Sequence, residues 1–366
     1  MKQFKMTLLA FAFVATLFSC SKSGTSDPLP ENQTMVDLTL PGTLAKTLSA
    51  VEKSTITSLA LKGTIDARDF KTMRDSMPVL AKIDLSKASI VIYTGANGTR
   101  DELTTYNANT IPGNAFFGLQ ANSTNVGDLA AGTTTPLSTG KKTLISIIFP
   151  SNLTEIGIMA FLDCTGLTGH LIIPESVTKI DNSAFEGCSG INELTLPSSL
   201  LSIEEHAFTA CSGITGSLNI PTSVTFIGQF AFQNCSGFTG SLILPATLQD
   251  IEYGAFVWCS GFTGELNIPS SLDVINKATF YGCSGFTSLI IPASITEISQ
   301  EAFSGCNQLT SIKVLGSTPA TITSIGQLSP FYNINTSSCI VKVPTGSKSA
   351  YSKAAQWSEF IKIVEY

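Results

Sequence analysis

Nine cysteines and two histidines carry most of the potential chemistry in this 366-residue chain. Thiols can pair as disulfides, ligate metals or attack carbonyl carbon. Seven of them, Cys164, Cys188, Cys211, Cys235, Cys259, Cys283 and Cys306, recur at intervals of 24, 23, 24, 24, 24 and 23 residues. No Cys-x-x-Cys pair occurs and no Cys/His pair has ligand spacing, so the pattern supports no metal site. Each repeat cysteine follows a phenylalanine by three residues. Equivalent positions in successive repeats point the same way, whereas a disulfide needs Cβ atoms that face each other. The column therefore reads as reduced, buried thiols acting as small hydrophobes, with disulfides or a metal as the alternative.

His170 and His206 both fall at positions that vary between repeats. A hydrolase built on Cys–His or Ser–His needs its imidazole held by a carboxylate, and nothing in the sequence arranges one. No catalytic, cofactor-binding or metal-ligating residue is assigned, and the chain is expected not to be an enzyme.

Cys20 stands apart. Lys2 and Lys5 precede an apolar run from Met6 to Phe18, too short to span a bilayer but of signal-peptide length. The run ends Leu17-Phe18-Ser19-Cys20, which resembles a bacterial lipobox, where cleavage before the cysteine exposes a thiol for diacylglycerol. A plain secretory signal is the other reading. The apolar length, small residue and cysteine at one depth favour lipidation.

The elements that position these residues form one unit written seven times. Prolines 150, 174, 197, 221, 245, 269 and 292 and phenylalanines 161, 185, 208, 232, 256, 280 and 303 keep the cysteine intervals. Pro to Phe is always 11 residues and Phe to Cys always 3; only Cys to the next Pro varies, at 9 or 10. A period in the twenties signals a solenoid, because one unit cannot bury its own apolar face. Within the unit, Leu171-Ile172-Ile173-Pro174 reads as an in–out–in strand ended by proline. Val177 and Ile180 point inward from a second extended piece, and Ala184-Phe185 is expected to open a short helical turn.

The text LTLPSSLLSIEEHAFTACSGI and LNIPTSVTFIGQFAFQNCSGF resembles the BspA-like family of bacterial surface leucine-rich-repeat proteins, strongly over residues 147–314. The resemblance implies an α/β leucine-rich-repeat solenoid, a right-handed superhelix. It would have a parallel sheet on one face, short strands and helical turns on the other, and irregular caps. It also implies a cell-surface context and brings no catalytic motif.

The expected organisation is a signal peptide over 1–20, a tether over 21–33, an irregular N-terminal cap region over 34–119 and an inserted exposed loop over 120–142. Regular repeats over 143–314 and a C-terminal cap over 315–366 complete it. Helices are expected at 43–52, 66–77 and 348–360. Charged residues are only 13% of the chain and net charge is −6; without a basic cluster, nucleic acid is not an expected partner. A monomer is expected, held to the outer membrane through lipid on Cys20 and exposed outside the cytoplasm.

Positions that the repeat leaves free are the candidates for binding. One strand-face column is His170, Glu193, Ser217, Ser241, Glu265, Ser288 and Ser311. The next is Ile172, Thr195, Asn219, Ile243, Asn267, Ile290 and Lys313. Phe230, Tyr253, Val257, Trp258 and Tyr281 crowd the turns of three successive repeats, as a protein- or sugar-binding patch would; covering the core edge is the competing role. The expected function is non-catalytic binding of an extracellular protein or glycan in adhesion or host interaction. The alternative is glycan capture or an envelope scaffold. If Cys20 carries lipid, Cys20→Ala releases the protein from the membrane fraction; a variant that stays in membranes refutes the anchor.

Overall fold

The structure, a computed structural model, describes residues 33–100, 102–118, 140–323 and 328–366. The leader, Cys20 and the tether up to residue 32 lie outside the described residues, as do 119–139 of the inserted segment.

The chain is a parallel β-solenoid with little helix. One face is a line of strands from Thr34–Leu38, Ser58–Ile65 and Lys82–Ile90 through Gly169–Ile172 and Ile191–Thr195 to Ile340–Val343 and Lys362–Glu365. They pair in parallel runs of four, two, two and five. A second line of two-residue strands, from Thr110–Ile111 and Glu155–Ile156 to Thr321–Ile322, pairs in runs of six and three. In-register pairing, such as Ile180 with Ile156 and Ile203, stacks like on like. Leu171 and Ile173 are buried while Ile172 faces out, as the alternation predicts.

The Ala-Phe-x-x-Cys segment is not helical. Ser183 (φ 54°) and Gly187 (φ 74°) flank its core in the left-handed region, which an α-helix of L-residues cannot include. None of its amides bonds to residue i−4: alternate ones bond to the next rung, and those of Ala184, Glu186 and Cys188 bond to residue i−3. Ser183 N donates to Glu205 O at 2.9 Å, Phe185 N to Ala207 O at 2.9 Å and Gly187 N to Thr209 O at 2.8 Å. The same three bonds recur from rung to rung, as at His206, Phe208 and Ala210. Hydroxyls add to them: Ser176, Ser199 and Ser223 donate to Leu153, Val177 and Leu200 carbonyls, each at 2.6 Å.

Inside the turns the rings stack. Phe161, Phe185, Phe208, Phe232 and Phe256 follow one another at 5.0–5.4 Å with interplanar angles of 1–8°. The column starts against Phe70 and Phe116 and runs through Phe280 and Phe303 to Phe331 and Trp357. Each ring contributes about 1.5–3 kcal/mol by burial and about 0.5–1.5 more per aromatic pair. Every repeat cysteine is free and fully buried. Its thiol donates to the phenylalanine carbonyl of the preceding rung, Cys235 to Phe208 at 3.0 Å and Cys259 to Phe232 at 3.0 Å. The column is thus a hydrogen-bonded ladder as well as an apolar one.

The ends differ from the repeats. Asp69, fully buried, accepts from the amides of Gly42, Leu44 and Asp66; burial raises its pKa and these bonds lower it. The first expected helix is two, Leu44–Thr47 and Ala50–Thr55, parted where Ser49 and Glu52 form a capping box. The second, Ala67–Asp75, starts after Asp66 as its acidic cap requires. Arg74 donates to the carbonyls of Thr99, Asn114 and Phe117. Lys141 is buried and donates to Met77 O at 2.7 Å, so the end of the inserted segment is packed rather than exposed. The expected C-terminal helix is only Lys348–Tyr351 and a 3₁₀ turn, Trp357–Glu359, with Gln356 at φ 62° between them. Trp357 closes the core and donates to Ala320 O at 3.2 Å.

Burial pushes the Cys164 and Cys235 thiols up to about 12 and the others of the column well up too. Below the ordinary thiol value of 9.0, the thiols are protonated in folded and unfolded chains alike. Above it the unfolded chain loses thiol protons that the folded chain keeps, so stability falls as pH rises. Each thiol removes roughly 1.4 kcal/mol per pH unit in that window, and seven together about 10. A domain stability of about 5–15 kcal/mol is then lost within about two units above pH 9. Thiolate absorbance should appear in the same cooperative step as loss of circular dichroism. Thiols that titrate near pH 9 with the fold intact would show that they are not sealed.

Candidate functional site

Each turn has two left-handed positions beside the ring column. The first, two residues before the Phe, holds Met159, Ser183, His206, Phe230, Gly254, Ala278 and Glu301. The second, just before the Cys, holds Asp163, Gly187, Ala210, Asn234, Trp258, Gly282 and Gly305. Left-handed backbone suits Gly, Asn and Asp and costs other L-residues about 1–2 kcal/mol. Phe230 (φ 55°) and Trp258 (φ 60°) are the large aromatics held there. Each lies over a glycine of the following rung. A Cβ on Gly254 would meet Phe230 Cε1 at 2.5 Å, and one on Gly282 would meet Trp258 Cε3 at 2.5 Å.

The expected aromatic patch is therefore two groups. In one, His206 stacks on Phe230 at 5.2 Å, Phe230 meets Tyr253 edge-on at 4.7 Å and Lys277 Nζ sits 5.6 Å over the Tyr253 ring. Beside it, Gln229, Asp250, Glu252, Tyr253 and Asn276 line a 340 Å³ groove. In the other group, Trp258, 49% exposed, meets Tyr281 edge-on at 5.0 Å. Val257 does not belong to the exposed patch: it is only 6% exposed, tucked in beside Gly254. His206 and Lys277 were not anticipated as members. Their signal was available, since each occupies the repeat position of an aromatic neighbour, Phe230 and Tyr253 respectively.

The strand face keeps its two outward columns. Glu193 pairs with His170, Thr195 with Ile172, and Asn219 with Ile243; Asn267 pairs with Ile290. Ile148, Ile172, Ile243, Asn219 and Asn267 are exposed. Asn267 donates to Glu265 at 3.3 Å. Thr195 Oγ1 lies 2.7 Å from His170 Nε2, and His170 Nδ1 lies 3.6 Å from Glu193 Oε2. A hydroxyl, an imidazole and a carboxylate thus meet where the sequence had suggested no carboxylate partner. They stand exposed on an open strand face, and nucleophilic chemistry also needs donors for the developing oxyanion. The arrangement reads as a surface hydrogen-bond chain. Among the described residues no cluster of His, Cys, Asp and Glu could hold a metal ion. None of their helices is long and apolar enough to cross a membrane.

The contact of Trp258 with Gly282 is measurable. Gly282→Ala places a Cβ against the indole and leaves alanine at φ 72°, so it should destabilise by about 1–3 kcal/mol. Trp258→Asn should restore part of that loss in the double variant, giving a coupling above about 0.5 kcal/mol in a denaturation cycle. Strict additivity would mean that the indole does not rest on Gly282.

The sequence profile of the family described as "BspA type Leucine rich repeat region" matches residues 139–263 and 239–359, with six copies. Among solved structures, a Treponema pallidum leucine-rich-repeat protein is 25% identical over 45% of this chain and 77% of its own, with a TM-score of 0.40. A leucine-rich-repeat protein from Bacteroides ovatus is 24% identical over 75% and 67%, with a TM-score of 0.46. A leucine-rich cell surface protein from Faecalibacterium prausnitzii is 22% identical over 83% and 82%, with a TM-score of 0.32. No curated protein matches the chain. The profile covers more than half of the sequence and falls on the rungs just described, and the chain belongs to the BspA-type leucine-rich-repeat family.

Proposed function

We propose that this protein is a non-catalytic binding protein of the cell envelope that holds extracellular macromolecules, in adhesion or host interaction. In this reading, the diacylglycerol on Cys20 anchors it to the outer membrane and the solenoid is displayed beyond it. The observation that carries the reading is the pair Phe230 and Trp258. Both are large aromatics on left-handed backbone that other rungs give mostly to small or polar residues, and Trp258 stays half exposed. Strain kept at a surface position without a return in burial is characteristic of a contact site, and exposed aromatics are the usual anchors of interfaces. A glycan-capturing or scaffolding component is the second reading, favoured by the uncharged Asn219 and Thr195 on the strand face.

Binding by the intact protein to immobilised extracellular-matrix proteins, set beside a glycan array, separates the two readings. Trp258→Ala should weaken capture by about 2 kcal/mol or more, at unchanged melting temperature. Asn219→Ala with Asn267→Ala should cost only about 0.5–1.5 kcal/mol per lost hydrogen bond. Unchanged affinity in both variants would remove the site from these surfaces.

A further inference from the structure

The column of residues just before each cysteine changes character at one place. After Trp258 it carries glycine in two consecutive rungs, Gly282 and Gly305. The next rung ends the pair. Phe331-Tyr332-Asn333-Ile334 repeats the Phe-x-x-Cys turn, with Phe331 stacked on Phe303 and Asn333 at φ 64° in the glycine position. Elsewhere the slot is filled: Asp163 lies over Gly187, and Ala210 and Asn234 follow. The Trp258 indole covers the first glycine of the pair, as Asp163 covers Gly187, so one open rung at Gly305, between that indole and the Asn333 amide, leaves a trough.

The trough has a volume of 640 Å³, within the range of ligand sites of about 300–1,000 Å³. Trp258 stands at its head and Asn333 at its foot, and Gly282 and Gly305 line it between them. Ser260, Ser284 and Asn307, the residues just after successive cysteines, line it as well. So do Tyr281 and Ser304, each two before a cysteine. Among the described residues, the Tyr281, Ser260 and Ser284 hydroxyls and the Asn307 and Asn333 amides reach the surface with no hydrogen-bond partner within the protein, while Ser304 is buried beneath them. No charged side chain lines the space.

We propose that this trough binds a neutral glycan chain; the proposal deepens the macromolecule-binding reading and rests on it. The chemistry selects the class. A pyranose ring offers a face of C–H bonds, which sits on an indole, and a rim of hydroxyls that both donate and accept. The lining supplies that complement: one exposed aromatic and a set of hydroxyls and amides with both capacities. An anionic ligand would find no cation here. A protein anchor would need a desolvated apolar pocket, and here the apolar surface is little more than the rings of Trp258 and Tyr281. The strain at Trp258 fits the same role, because only a side chain in that slot can reach over the open rung beside it.

The test uses the intact protein and linear neutral gluco-, manno- and galacto-oligosaccharides of about six units. Of the two tryptophans, Trp357 is fully buried, so acrylamide quenching reports Trp258. One of the three series should protect Trp258 from acrylamide in a saturable way. Trp258→Ala, read by calorimetry, should weaken binding of that series at least tenfold. So should Gly305→Asn, which fills the trough with a residue that tolerates left-handed backbone, as Asn234 does. Both variants should melt with the parent. Absence of protection in all three series, or binding that survives Gly305→Asn, overturns the proposal. Capture of a matrix protein lost in Trp258→Ala but not displaced by any oligosaccharide overturns the glycan while leaving the broader binding function intact.

Discussion

The bond on which the structure depends is the donation of turn amides to the next rung. Three N–H groups per repeat, at Ser183, Phe185 and Gly187 in one of them, leave their own turn and bond forward. A buried amide that found no partner would cost about 1–3 kcal/mol, so the three bonds per rung lock successive turns into register. That register brings Phe onto Phe at 5.0–5.4 Å over five rungs and sets each cysteine thiol beneath the phenylalanine carbonyl of the rung before. The rings and thiols are consequences of the amide ladder, and they reward it with burial.

The same ladder explains why some positions are small. At Gly261 a Cβ would collide with the Phe238 carbonyl oxygen, and the residue two after each of the first six repeat cysteines is glycine, with Gln308 after the seventh. The left-handed positions are a softer constraint. They exact a conformational cost but leave space outside, and the chain uses them for Met, His, Phe, Trp and Glu as well as glycine. Sequence variety concentrates there and on the strand face because those are the places where a side chain touches solvent instead of the column.

The repeat period, the buried Phe and Cys columns and the in–out–in strands were legible from spacing alone, since each is a pattern with its own physical period. The turn conformation was not. Ala-Phe-x-x-Cys has the composition of a helix start, and only the forward donation of its amides shows that the helix is never begun. Glycine, asparagine and aspartate before several cysteines, at Gly187, Asn234 and Asp163, were the available signal for left-handed backbone. The ends were legible in outline only. Asp66 announced a helix start, but the hub at Arg74 depends on carbonyls of Thr99, Asn114 and Phe117, brought together from 25 to 43 residues away. At the candidate site, Trp258 and Tyr281 were visible as neighbours, whereas the burial of Val257 and the separation from Phe230 and Tyr253 required knowing which way each turn residue points.

A solenoid of this kind separates stability from recognition unusually cleanly. The ring column, the thiols and the amide ladder face inward or along the axis, so substitutions at the outward positions leave them untouched. Trp258 is the exception that joins the two. Its backbone belongs to the ladder, with its amide donating to Tyr281 O at 2.7 Å, while its indole rests outside on Gly282. The inter-rung bond fixes the backbone from which the indole projects, and Gly282 beneath offers it a platform. If Trp258 meets a partner as proposed, its indole already rests on Gly282, and less side-chain entropy remains to be lost on binding. The left-handed backbone at Trp258 is the one every rung adopts before its cysteine, and the amide ladder that builds the fold is what sustains it.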